Sequence, residues 1–170
     1  ADLRYEKRRN TFRRLFSLFD HLEVLREDGK SYLDNARNIL ENAPFPAEET
    51  ERCFHKMFSD TVTEQLLIYF VFTYFCGAVY NGNAYGKIKF SVAGMILIRE
   101  LTCADWLAIG GMDTAATEED ASNTAESAHI SRLIKTSCPS SREVEHSDYN
   151  KTTLEHLLGH ENTLGPDALF

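Results

Sequence analysis

Basic residues are in the minority in this chain. Its 18 Lys and Arg face 26 Asp and Glu, for a formal net charge of −8. Nucleic acid binding needs a concentrated positive surface, so this balance argues against nucleic acid as a partner. Cysteine is sparse: Cys53, Cys76, Cys103 and Cys138 stand 23, 27 and 35 residues apart. No pair has the close spacing of a metal knuckle or a redox motif. Cys76 and Cys103 sit in apolar stretches and are read as small buried hydrophobes, and reduced structural thiols place the protein in the cytoplasm. No G-x-G-x-x-G loop, P-loop or G-x-S-x-G elbow occurs, so no recognisable glycine-rich cradle awaits a nucleotide. The charged start is not followed by an apolar signal region. An initiator methionine is also missing before Ala1, which suggests a trimmed chain or a piece of a longer one.

What is present reads as helix throughout. The fold class expected is all-α, an irregular bundle of about six to seven helices around a central apolar helical hairpin. Residues 1–160 are read as one domain and 161–170 as a frayed tail. Phe12, Leu15, Phe16, Phe19 and Leu22 keep the three-four spacing of an amphipathic helix. That helix is expected from Arg4 to Glu27, with Gly29 marking its end. Its cluster Arg4, Lys7, Arg8, Arg9, Arg13 and Arg14 reads as a solvated face, or alternatively as a contact for an acidic neighbour domain. Helices follow over Ser31–Glu41 and Ala47–Phe58, parted by Pro44 and Pro46.

The apolar run Leu66–Tyr80 falls about five residues short of the ~20 needed to cross a bilayer, and is read as a buried core helix rather than a membrane span. A second apolar helix, Lys87–Ile109, is expected to fold back on it through the turn Asn81–Gly86, with Ala93 and Gly94 allowing close approach. An acidic stretch over Asp113–Ser127 reads as a surface loop. A helix over Ala121–Lys135 should stop before Pro139, and a last one should start at Ser147 and end at Gly159.

Chemistry-bearing residues concentrate in Ser141–Asn150. Its carboxylates beside His146 and Arg142 suit proton shuttling or amine orientation; equally, Ser140 with Glu143 fits a capping box and Ser147 an N-cap. His156 and His160, four apart, with His146 upstream, form a weak metal-ligand pattern that Gly159 interrupts. Glu64 is expected to pair with Arg99 across the hairpin; the functional alternative is a pocket containing Tyr69 or Tyr74.

Three segments in this order, Phe19-Asp-His-Leu-Glu-Val-Leu25, Glu64-Gln-Leu-Leu-Ile-Tyr-Phe-Val-Phe72 and Ser141-Arg-Glu-Val-Glu-His-Ser-Asp-Tyr-Asn150, resemble the C-terminal half of flagellin lysine-N-methylase-like proteins, the cysteine-cluster family. The resemblance implies a helical domain that supports, or contacts the substrate of, a catalytic half outside this chain, so that the isolated chain is expected to be inactive. It also implies S-adenosylmethionine and an iron–sulfur cluster for the full-length family, though the scattered cysteines and the missing glycine-rich loop make neither evident in this chain. The implied partners are an N-terminal cysteine-cluster region and a protein-lysine substrate such as flagellin. A lysine must lose its proton before it attacks a methyl group, which makes Glu64, Tyr69, Tyr74, Glu143 and His146 the candidate site residues. The competing expectation is a non-catalytic helical interaction module.

Overall fold

The computed structural model describes residues 3–43, 48–110, 130–138, 144 and 146–160. In chain order the helices are α1 (Leu3–Phe19), α2 (Glu27–Asn42), α3 (Glu48–Met57), α4 (Asp60–Tyr74), a 3₁₀ turn (Phe75–Gly77) running into the short α5 (Ala78–Asn81), and α6 (Ala84–Ala108). A helical segment over 130–138, α7, and α8 (Asp148–His160) complete the described part. Among the described residues there is no strand, and the all-α bundle stands.

The 25-residue α6 is the axis of the molecule. Phe90, Ala93, Leu97, Ile98, Leu101, Ala104 and Trp106 on it are all buried, Leu101 completely. Buried side chains surround a helix on every side only when other helices cover each face, and α2, α4 and α8 all pack on this one, with α1 joining them. The α1 side of the core is aromatic: Phe12 and Phe16 meet at 4.5 Å between ring centroids.

The expected hairpin forms between α4 and α6. Gly82, at φ 69°, takes the left-handed conformation that ends α5, and Asn83 caps α6 by accepting from the Gly86 amide at 2.9 Å. Gly94 sets the depth of contact, because a Cβ there would lie 2.8 Å from the Phe70 ring. Only α6, however, is the enclosed arm. Of the α4 residues Phe70 alone is buried, whereas Phe72 is 80% exposed, Val79 86% and Tyr80 92%. The apolar run Leu66–Tyr80 is therefore half wall and half surface, not the buried centre that its composition suggests. Helical structure from Asp60 to Asn81 is also long and apolar enough, by length and composition, to cross a membrane, and only 17% of its most apolar window is buried. Cys76 lies on this exposed segment, against expectation, while Cys103 is buried as expected.

Three helix boundaries differ from the sequence expectation. The first helix stops at Phe19 rather than near Glu27, and the amides of Asp20, His21 and Leu22 close i→i+3 bonds onto Ser17, Leu18 and Phe19. Gly29 does not mark its end; it is buried in the first turn of α2. Gly159 likewise lies inside α8. In each case packing overrides the intrinsic glycine signal, which is worth only ~1 kcal/mol. The expected acidic loop, most of the Ala121–Lys135 helix, Pro139 and the 161–170 tail lie outside the described residues.

Candidate functional site

Residues 19–25 and 147–150, far apart in sequence, form one hydrogen-bonded latch. The fully buried Asn150 accepts from the Glu23 amide at 2.9 Å and donates to the Glu23 carbonyl at 3.0 Å. Ser147 caps α8 by accepting from the Asn150 amide at 3.1 Å, and its hydroxyl donates to the Glu23 carboxylate at 2.6 Å. The N-cap role expected of Ser147 is thus observed, with a long-range partner added. The capping box expected of Ser140 and Glu143 lies outside the described residues.

Beside this latch opens an apolar cavity of about 330 Å³. Leu15 and Phe19 of α1, Leu66, Tyr69 and Phe70 of α4, Phe90, Ala93, Gly94, Leu97 and Ile98 of α6, Val144, and Leu154 and Leu158 of α8 line it, with Tyr69, Ser137, Cys138 and His146 as its polar groups. Two sequence candidates, Tyr69 and His146, thus line one cavity. Tyr69 is half exposed, its ring set edge-on to Phe70 at 5.3 Å. His146 is exposed at the same cavity. The other candidates are placed elsewhere. Tyr74 packs into the aromatic layer, stacked on Phe70 at 6.0 Å and edge-on to Phe90 at 4.8 Å. Glu64 is exposed on α4, and Glu143 lies outside the described residues.

The expected Glu64–Arg99 pair does not form. Arg99 instead bonds Glu100 at 2.7 Å and lies over the Phe54 ring at 5.5 Å. Glu100, 3% exposed, takes Arg8 as a two-pronged partner at 3.0 and 2.9 Å. Arg8 is therefore no solvated-face residue, because α1 turns it inward onto α6. Burial pushes the Glu100 carboxyl up, and Arg8 and Arg99 more than offset that, holding it below the usual carboxylate range. Burial, together with the neighbouring Glu100 charge, raises the Cys103 thiol against the opposing pull of Arg8. Nothing in the sequence marks this cluster except the cost of burying Glu100 inside an apolar helix, and that cost demands partners without naming them.

Among the described residues no three His, Cys, Asp or Glu side chains group as metal ligands, and His156 is exposed on α8. The cysteines do not fit an iron–sulfur centre: Cys103 is buried against Arg8, whereas Cys76 and Cys138 are exposed.

Comparison with curated proteins and with solved structures finds no match. The family model of the FliB lysine N-methylase C-terminal domain matches residues 2–170. The three segments that carry the resemblance are now spatially related: the first and third form the latch, and the second supplies Tyr69 to the adjoining cavity. The chain belongs to the family of FliB lysine N-methylase C-terminal domains.

Proposed function

We propose that this domain completes a protein-lysine N-methylase, docking its catalytic region on the exposed α4–α5 face and receiving the substrate lysine in the adjoining apolar cavity. The observation that carries the reading is Tyr69, which belongs to both surfaces. Ile68, Phe72, Phe75 and Val79 recur at helical spacing on one face, flanked by Tyr69, Cys76 and Tyr80. No charged residue occurs from Gln65 to Gly86. At ~150–250 Å² for each fully exposed aromatic residue, this stripe approaches the roughly 800 Å² that one side of a standard interface buries. The occupant is the N-terminal region that a C-terminal domain of this family implies.

In the cavity, apolar walls disfavour an ammonium ion and so favour the neutral amine that attacks a methyl group. The Tyr69 hydroxyl orients the lone pair and His146 accepts the released proton. The S-adenosylmethionine and the iron–sulfur cluster implied for the full-length family are assigned to the catalytic region, since the cysteines of this chain do not converge. Flagellin is the implied substrate and the cytoplasm the implied setting.

A second reading, a helical interaction module without a methyl-transfer role, draws on the same exposed stripe. Methylation of a lysine peptide by the enzyme containing this domain separates the two. Tyr69→Phe and His146→Ala should each lower the rate at least tenfold with the fold intact. Unchanged rates in both would leave the interaction module standing.

A further inference from the structure

A second cavity, of about 300 Å³, opens between α1, α3 and the C-terminal half of α6, and it differs in chemistry from the apolar one. Three guanidinium groups, from Arg8, Arg9 and Arg99, line it together with one buried carboxylate, Glu100. Glu100 is shared between the half-buried Arg8 and Arg99, so the triad keeps a positive excess of one charge. Arg9 adds another. Its terminal nitrogen is held by the carbonyl of Glu41, a neutral acceptor. Its Nε is buried without a hydrogen-bond acceptor, and a buried donor left unpaired is costly. Among the described residues the acids at the rim do not cancel this excess, because Glu51 is exposed and the Asp60 side chain is 99% exposed, where water screens it. Around the guanidinium groups the walls are Phe54, Phe58 and Trp106.

We propose that this cavity is a binding site for an oxyanion, a carboxylate or a phosphate group, carried on an aromatic or apolar body. Guanidinium forks match both groups in geometry, and their charge survives at any working pH. The anion would pair with the Arg9 guanidinium and neutralise the excess left by the Arg8–Glu100–Arg99 triad, while its body lies against the aromatic wall. The site lies on other residues than the Tyr69–His146 cavity and stands or falls without it.

Trp106 is the only tryptophan of the chain and lines this cavity, so its fluorescence reports on the site directly. Phenylphosphate and phenylacetate are the probes, with benzyl alcohol as the uncharged control. Saturable quenching by at least one anion, weakened by salt and absent with the control, is expected, and the anion that binds tighter identifies the natural group. Arg9→Gln should weaken that binding about tenfold, whereas Arg14→Gln, on the exposed side of α1, should leave it unchanged. If Arg9→Gln unfolds the chain, Arg9→Lys takes its place, keeping the charge but losing the fork, and should still weaken binding. No quenching by either anion, quenching equal to that by the alcohol, or affinity indifferent to the Arg9 substitution would overturn the assignment.

Discussion

The side-chain amide of Asn150 makes two hydrogen bonds to the main chain of one residue, Glu23, at 2.9 and 3.0 Å. It thereby fixes the α1–α2 turn against the start of α8. Such bonds, with the packing of Leu22 on the core, give a segment without secondary structure of its own a defined position.

Asn150→Ala should destabilise the domain by about 2–4 kcal/mol, because it removes two bonds and strands a Glu23 amide and carbonyl. Ser147→Ala should cost less, about 1 kcal/mol for the lost cap. Urea unfolding of the two variants checks both the sizes and the order.

Glu100→Ala leaves Arg8 and Arg99 with no buried counter-charge and should cost about 3–5 kcal/mol. The same cluster sets an acid limit. The folded Glu100 carboxyl sits below its ordinary range, so its stabilising share is fully present above the unfolded value of ~4.3 and fades as pH falls from there through the folded value. Thermal melts from pH 7 to pH 3 should show Tm falling below about pH 4.5. In a folded Glu100→Gln variant that part of the fall should disappear.

The all-α class, the α4–α6 hairpin and the close approach at Gly94 were legible because each rests on local signals: three-four apolar spacing, an Asn-Gly-Asn turn and small residues. Which arm of the hairpin is buried was not legible. Leu66–Tyr80 and Phe90–Trp106 are similarly apolar, and only the packing of α2 and α8 on α6 distinguishes them. The grouping of the candidate residues was legible only in part. Tyr69 and His146 meet at one cavity, but Tyr74 is a packing residue, and the Arg8–Glu100 pair spans 92 residues. No periodicity encodes such a separation.

The unequal burial of the two arms has a direct energetic signature. Phe70→Ala should cost about 3–5 kcal/mol as a core truncation. Phe72→Ala, two residues on, should stay within about 0.5 kcal/mol as a surface change. Guanidinium titrations of the isolated chain measure the difference.

Gly94→Ala places a methyl 2.8 Å from the buried Phe70 ring, which must shift to make room. About 1–3 kcal/mol of destabilisation is expected. Combining it with Phe70→Leu should recover part of that loss, and a double-mutant cycle on unfolding free energies reads the coupling.

The docking role of the α4–α5 face is tested most directly by amide hydrogen exchange of the domain, alone and with the N-terminal region of a lysine N-methylase of this family. Slowed exchange over residues 66–81, abolished by Phe72→Asp, is the expected result. Unchanged exchange there while the two parts still bind, or protection of that segment by lipid vesicles alone, would contradict it.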